Sequence, residues 1–205
     1  DKDKIQLYQN QVFVTDEVKG IVPDFLMLLR GVIDSPDIPL NVSRSYLQAD
    51  GAVKKISQYI TRKVADKMNS LLKEDREEFE KKWNDIKVVL EYGVVSEEKF
   101  AEKSDKFMLF PSVDETYFTW DEFSEKYKEV QTDKDGNFVV LYATDKDQQD
   151  AYIQAAKEKG YEVLLMDSPI APHFIQKLEY SKEKTTFARV DADHINNLIK
   201  KDEPI

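Results

Sequence analysis

The sequence predicts an α/β protein built from two three-layer α/β/α lobes joined by a short helical coil. In the middle of the chain, apolar residues recur at three- and four-residue spacing, which is typical of helices. Nearer the C-terminus, short apolar runs alternate with helical segments, which is typical of a parallel sheet covered on both faces. We expect the first lobe over 1–73, the coil over 74–106 and the second lobe over 107–205.

The composition bounds the class of protein. A chain of 205 residues with 41% hydrophobic residues is long enough to bury a core. Its net charge of -10, with lysines interleaved among carboxylates, argues against nucleic acid as a partner. No apolar run approaches the roughly 18 residues of a membrane span, so no membrane partner is expected. The absence of cysteine excludes disulfides and thiolate chemistry and fits a reducing compartment.

The first lobe opens with extended structure. Residues 5–15 read as a strand or a strand pair, because they are rich in β-branched and aromatic residues. A short, mostly buried helix follows over 24–30 and stops at Gly31. The connection after it contains Pro36 and Pro39, which restrict its backbone.

The stretch from Pro39 to Gln48 is the main candidate for chemistry. It is a polar turn that enters an amphipathic helix, so Arg44 and the neighbouring hydroxyls would lie near free helix amides. That arrangement could hold a phosphate. The alternative is a solvated arginine, or one that braces the loop against Asp34 or Asp37, and the residues alone leave both readings open.

Three helices in succession are expected to join the two lobes, the first at the end of the first lobe and the other two in the coil. The first runs over about 51–73, with a regular apolar stripe. Asp75 begins the second, and Gly93 is expected to lie beyond its end. Ser96 opens a third, shorter helix.

The second lobe is predicted to alternate strands and helices. The turn at 133–136 and the stop at Gly160 separate some of these elements. Apolar runs predict strands over 108–110, 138–144, 161–166 and 185–190, and helical spacing predicts helices over 119–127, 148–159, 170–178 and 193–201. The run over 138–166 is a βαβ unit.

Ligands usually bind where parallel strands end, here at Thr144, Asp145, Asp167 and Ser168. No glycine-rich turn follows either strand, so dinucleotide and P-loop sites are excluded. A free-standing small-molecule enzyme would need a polar pocket at Asp145 and Asp167, and it ranks last among the functions considered.

His173 and His194 are 21 residues apart and have no ligand spacing to one another, so no metal site is predicted. They read as ordinary surface or interface histidines. Tyr117 and Trp120 could either form an exposed contact patch or pack under a loop.

Two stretches carry a family resemblance: Val12-Phe13-Val14-Thr15-Asp16-Glu17, and Gly31 through Arg44, which reads GVIDSPDIPLNVSR. They resemble the middle domain of the Hsp90 chaperone family, in its bacterial HtpG type. The order of strand, catalytic loop, long helix, helical coil and α/β lobe, with Tyr161-Glu162-Val163-Leu164-Leu165, is similar throughout. The resemblance covers essentially the whole chain.

The resemblance implies an ATP-dependent chaperone for protein folding under stress, which is cytoplasmic and homodimeric at full length. Its N-terminal domain would bind ATP and Mg, and its C-terminal domain would dimerise. It implies that Arg44 is the catalytic arginine, that Gln48 is a second nucleotide-facing group and that Asn41 shapes the loop beside the nucleotide. Arginine suits this role because it stays charged and its planar fork matches phosphate oxygens.

Two positions depart from the family pattern. Ser45 stands where the family commonly has glutamate, which removes a negative charge beside Arg44. Pro172-His173-Phe174 stands where relatives often carry an exposed aromatic patch, so His173 and Phe174 are candidate contacts for unfolded clients. Phe174 also fits the apolar stripe of its helix.

The resemblance also implies that the ATP site, the dimerising end and part of the larger lobe lie outside this sequence. We therefore expect the chain alone to hydrolyse no ATP, and its partners to be those two domains and unfolded clients. The rival hypothesis is a non-catalytic interaction scaffold in which Arg44 is structural.

Overall fold

The computed structural model describes residues 8–9, 12–13 and 50–202; of 8–9, 12–13, 50–57 and 60 it describes the backbone alone. The chain divides into two compact units, Asp1–Phe107 and Met108–Ile205. The α/β class predicted from the sequence is confirmed by this mixture of helices and strands. The predicted boundaries at residues 73 and 106 stay predictions.

The first unit contains a short antiparallel strand pair. Strand β1, Tyr8–Gln9, pairs with β2, Val12–Phe13, so that Tyr8 lies opposite Phe13 and Gln9 opposite Val12. This pair lies inside the stretch for which the sequence predicts extended structure.

Three helices pack on one another in the same unit: α1, Asp50–Glu74; α2, Arg76–Ser96; and α3, Glu98–Ser104. The predicted start of α2 is confirmed, because the Asp75 carboxylate accepts a hydrogen bond from the Glu78 amide at 3.2 Å. This bond satisfies one of the amides left free at a helix start.

The apolar stripes of these helices form the core of the first unit. Val64 and Met68 of α1 are 4% and 0% exposed, as the stripe predicts. Phe79 and Trp83 of α2 meet edge to face, with ring centroids 5.6 Å apart. Aromatic pairs in this geometry stabilise a fold beyond the area that they bury.

The predicted stop at Gly93 is wrong. Helix α2 continues to Ser96, and the Gly93 carbonyl accepts a helical hydrogen bond from the Glu97 amide at 2.9 Å. Leu90, Gly93 and Val94 are all buried, so packing holds this last turn in the helix. Helix α3 accordingly begins later than Ser96.

The second unit is organised on a three-stranded parallel sheet. Strand β5, Phe138–Ala143, lies between β6, Val163–Leu165, and β7, Thr185–Arg189. The parallel pairing of β5 with β6 confirms the predicted βαβ unit.

An antiparallel hairpin lies beside β6. Its strands are β3, Leu109–Pro111, and β4, Tyr117–Thr119. The hairpin joins the sheet through a bridge from Ser112 to Leu164 and a hydrogen bond from the Val113 amide to the Val163 carbonyl at 3.0 Å.

Helices cover both faces of this sheet. They are α4, Trp120–Tyr127; α5, Asp150–Glu158; α6, Ala171–Ser181; and α7, Ile195–Leu198. An aliphatic cluster joins one sheet face to α5 and α7 through Val139, Leu141, Ala143, Ile153, Ala156, Val163, Ile195 and others. An aromatic cluster joins the other face to α4 and α6 through Phe110, Trp120, Phe123, Phe138, Phe174 and Phe187. The second unit therefore has the predicted three layers.

Two glycines end elements where the sequence predicts it. Gly136 has φ +86° in the predicted turn, and Gly160 has φ +81° after α5. Such backbone angles are open to glycine at little cost, since it has no Cβ.

The predicted closing helix over 193–201 is too long. Helix α7 ends at Leu198, and Ile199 is extended, with φ -123° and ψ 97°, and 2% exposed. The Lys200 carbonyl then accepts a hydrogen bond from the Lys134 amide at 2.7 Å. Burial of Ile199 and this long-range bond outweigh the local preference for another helical turn.

Candidate functional site

The predicted nucleotide-facing residues, Asn41, Arg44 and Gln48, lie outside the described residues. The described part of the chain resumes with α1 at Asp50. Their assignments therefore remain predictions, and the sites built below lie in the second unit.

Helix α6 carries the two predicted client-contact residues, and they differ in exposure. His173 is exposed, whereas Phe174 is 2% exposed and stacks on Phe110 with ring centroids 6.3 Å apart. Phe174 therefore offers almost no surface for a contact, while His173 is open to solvent. Tyr180, two turns along α6 from His173, is 88% exposed.

Trp120 anchors the aromatic cluster under α6. Its ring lies 5.4 Å from Phe110 and stacks on Phe187 at 6.1 Å. The Lys182 ammonium lies 4.4 Å from the Trp120 ring centroid, within the range of a cation–π contact. Of the two readings for Trp120, the structure supports packing over an exposed contact patch.

The carboxyl ends of the strands hold a polar network at the predicted position. Gln149 is 6% exposed, and its Oε1 accepts hydrogen bonds from the Thr144 and Asp145 amides at 2.8 and 3.2 Å. Its Nε2 donates to the Asp191 carboxylate at 3.2 Å and to the Thr144 hydroxyl at 3.3 Å. The hydrogen bonds of the Gln149 side chain thus join the loop after β5 to the loop after β7.

The acidic side chains at this edge also bond to nearby protein groups. The Asp145 carboxylate accepts hydrogen bonds from the Asp147 and Gln148 amides at 3.0 and 3.1 Å. Burial by itself would raise the pKa of Asp191, but hydrogen bonds from Arg189 and Gln149 outweigh it and lower that pKa. The polar side chains at this edge thus form hydrogen bonds within and between the loops. These contacts give the small-molecule enzyme hypothesis no support.

Among the side chains that the structure describes, no three histidine, aspartate or glutamate residues converge as a metal site. His194 begins α7, where its Nδ1 accepts a hydrogen bond from the Asn196 amide at 3.3 Å. His173 lies on α6, on the other face of the sheet.

A buried polar network that the sequence reading missed lies at the amino end of β6. Gln131 is fully buried; its Oε1 accepts a hydrogen bond from the Glu162 amide at 2.7 Å, and its Nε2 donates to the Val139 carbonyl at 2.9 Å. Its side-chain amide therefore connects β5 to the residue before β6. The available signal was Glu162 itself, an acidic residue immediately before an apolar strand.

Glu162 is 8% exposed. Its Oε1 accepts a hydrogen bond from the Val163 amide at 3.0 Å, and its Oε2 accepts one from the Tyr127 hydroxyl at 3.3 Å. Burial, with a smaller contribution from the Asp114 carboxylate, raises the pKa of Glu162. Burial and the neighbouring Glu162 raise the pKa of Tyr127 in turn.

Comparison with known proteins identifies the family. The model of the Hsp90 protein family matches residues 1–203. The chain belongs to the Hsp90 family.

Bacterial Hsp90 relatives match almost all of the chain. It is 57% identical to the chaperone protein HtpG of Bacteroides thetaiotaomicron and to that of Porphyromonas gingivalis, over 98% of the chain in each case. It is 32% identical to HtpG of Bdellovibrio bacteriovorus over 88% of the chain. The chain spans about 30% of the length of these relatives.

The fold is similar to that of an Hsp90 middle domain. The middle domain of a putative Plasmodium falciparum heat shock protein matches 93% of this chain and 74% of its own, with a TM-score of 0.64 and 18% identity. In the described part of this Hsp90-family chain, no helix is both long and apolar enough to cross a membrane.

Proposed function

We propose that this chain is the middle-domain part of an HtpG-type chaperone and that it contributes Arg44 to the ATP site of an N-terminal domain. The observation that carries the proposal is the family match over residues 1–203, which includes the whole stretch from Pro39 to Gln48. The middle-domain fold supports it.

The chemistry of the proposed loop follows from charge. A phosphoryl group in transfer gains negative charge on its oxygens, and a correctly placed guanidinium stabilises that charge without giving up a proton. Gln48 lies four residues after Arg44, so in a helix the two side chains would face the same way. Asn41 would shape the turn. An arginine supplied by a separate domain would couple hydrolysis to domain closure.

The full-length protein is accordingly proposed to be a cytoplasmic, homodimeric ATPase that acts in protein folding and the stress response, with ATP and Mg held by its N-terminal domain. In this proposal, Asn41, Arg44 and Gln48 of this chain supply positioning and charge at the ATP site. Unfolded clients would contact the exposed side of α6, where His173 and Tyr180 are open to solvent.

The test is Arg44→Ala in the full-length protein. Steady-state ATP turnover should fall at least roughly tenfold, while the dissociation constant for ATP changes far less. Arg62→Ala is the matched control, because Arg62 is an exposed arginine of α1 that lies 5.4 Å from the Tyr59 ring. Unchanged turnover in Arg44→Ala would overturn the catalytic assignment. Unchanged turnover together with a lower free energy of unfolding in Arg44→Ala would favour the scaffold hypothesis, in which Arg44 is structural.

A further inference from the structure

Strand β7 is an outer strand of the parallel sheet, since among the described strands it pairs with β5 alone. Phe138 of β5 lies opposite Thr185, and the Phe138 amide donates to the Lys184 carbonyl at 2.8 Å. In a parallel ladder, the N–H and C=O groups of one residue face the same side, and successive residues alternate. In this register, the backbone groups of Thr185, Phe187 and Arg189 therefore face away from β5.

Much of this outer edge is accessible. Thr186 and Arg189 are exposed and Phe187 and Ala188 are half-buried, whereas Thr185 is 9% exposed. The Arg189 carbonyl accepts a hydrogen bond from an amide of the turn that follows β7, at 2.9 Å. Within the part of the chain that the structure describes, neither the Arg189 amide nor the Phe187 carbonyl bonds to another backbone group. An extended chain could therefore reach the edge from Thr186 to Arg189.

A side chain covers the middle of the edge. The Phe187 amide donates a hydrogen bond to the Glu179 carboxylate at 2.8 Å. Glu179 is an exposed residue of α6, which packs on the aromatic face of the sheet. Its oxygen thus lies where the carbonyl oxygen of a further strand would lie. Because the carboxylate regains water when it leaves, a backbone carbonyl can replace it at small net cost.

An extended polypeptide backbone matches these groups. In antiparallel pairing, one residue of an added strand would accept from the Phe187 amide and donate to the Phe187 carbonyl. Ala188 packs against the aliphatic cluster, so apolar side chains of the added strand would lie on that face. Side chains on the opposite face would lie beside the displaced Glu179 carboxylate.

Charge selects the partner. The displaced Glu179 carboxylate attracts a basic side chain, and the net charge of -10 on the chain adds to this preference. Arg189 is already paired with Asp191 at 2.5 Å. The Lys182 ammonium lies over the Trp120 ring. A second copy of this chain would bring the same net charge and a second Glu179, so the pairing of two β7 edges is disfavoured.

We propose that the outer edge of β7 binds a basic, extended segment of another polypeptide by strand addition, and that Glu179 occupies the edge until the segment displaces it. An unfolded client would supply such a segment, so the proposal rests on the chaperone function proposed above for its partner. The site itself uses neither Arg44 nor the exposed side of α6.

The first experiment titrates the purified chain with two capped peptides, Thr-Lys-Val-Lys-Val-Lys-Thr and Thr-Glu-Val-Glu-Val-Glu-Thr, and follows its amide signals by NMR. At about 0.15 M salt, where distant charges are screened, the lysine peptide should bind at least roughly fivefold more tightly than the glutamate peptide. Equal affinities, or no binding of either peptide, would overturn the proposal.

Glu179→Ala removes both the internal acceptor and its charge. It should reduce the preference for the lysine peptide at least roughly threefold, mainly because the glutamate peptide binds more tightly. Glu158→Ala is the matched control, because Glu158 is an exposed glutamate at the end of α5, on the other face of the sheet. An equal loss of preference in both variants would show that net charge, rather than Glu179, selects the peptide.

Hydrogen exchange locates the bound peptide on the wild-type chain, so it holds if Glu179→Ala fails to fold. The lysine peptide should slow exchange of the outward-facing Arg189 amide and leave the neighbouring Ala188 amide, which faces β5, unchanged. Changes confined to the exposed side of α6, around His173 and Tyr180, would overturn the edge site and favour the client surface proposed above. ATP turnover is not measured, so failure here leaves the catalytic proposal untouched.

Discussion

The side-chain amide of Gln131 accepts a hydrogen bond from the backbone of Glu162, 31 residues away, at 2.7 Å. Its other end donates to the Val139 carbonyl at 2.9 Å. A side chain thus replaces a backbone partner between β5 and β6, at the point where the Leu141–Val163 pairing begins. Because Gln131 is completely buried, water has no access to these groups.

Gln131→Leu should therefore destabilise the second unit by about 2 to 6 kcal/mol, since two buried backbone groups would lose their partners at about 1 to 3 kcal/mol each. The measurement is urea unfolding of the purified chain. Gln176→Leu, at an exposed position on α6, is the control and should change stability by less than about 0.5 kcal/mol. A loss at Gln131 no larger than at Gln176 would contradict this account of the bridge.

Thr119 and Glu122 form a reciprocal cap at the start of α4. The Thr119 hydroxyl accepts from the Glu122 amide at 3.3 Å, and the Glu122 carboxylate accepts from the Thr119 amide at 2.9 Å. Thr119→Ala should cost about 1 kcal/mol of unfolding free energy. Thr119→Ser keeps the oxygen and should stay close to the wild type in the same unfolding assay. If serine and alanine cost the same, the hydroxyl bond is not what stabilises α4.

Gly160 tests backbone conformation alone. Its φ is +81°, and a Cβ at this position would meet nothing within 4 Å. Gly160→Ala should lower stability by about 1 to 2 kcal/mol, purely from the left-handed backbone. Asparagine tolerates this region better, so Gly160→Asn should lose less in thermal or urea unfolding. Equal losses would point to a steric cause that the structure does not contain.

The catalytic proposal makes a prediction for separated domains. Mixed with the isolated N-terminal ATP-binding domain, this chain should raise ATP turnover, and the chain carrying Arg44→Ala should not. Because a covalent tether in the proposed full-length protein would supply a high effective concentration, the chain should be titrated to millimolar levels. Alone, the chain should show no ATP hydrolysis. Equal stimulation by the wild-type chain and by Arg44→Ala would show that the effect of this chain on ATP turnover does not depend on Arg44.

The Ser45 position refines that prediction. A glutamate beside Arg44, which the family resemblance implies is common at this position, would add a negative charge near the guanidinium. Ser45→Glu should therefore alter turnover of the full-length protein without large effect on ATP affinity, measured by the same assay and a nucleotide titration. Unchanged turnover would mean that the charge at residue 45 does not affect how the Arg44 side chain is positioned.

By itself, the sequence determined the class of fold, the layers of the second unit and most element boundaries in it. These depend on local rules: apolar runs for strands, helical spacing for amphipathic faces, the Asp75 cap and the glycine stop at Gly160. The site in the Pro39–Gln48 stretch came from local residue types and a family resemblance, and it stays a prediction because it lies outside the described residues.

Only the tertiary structure decided where local preference gives way. Burial kept Gly93 inside α2, and burial of Ile199 cut α7 short at Leu198. The network of Gln131, Glu162 and Tyr127 depends on contacts 31 and 35 residues apart, which no local pattern encodes. Periodicity reports which face of an element is buried, whereas the partner that a buried polar group finds depends on how distant segments pack together.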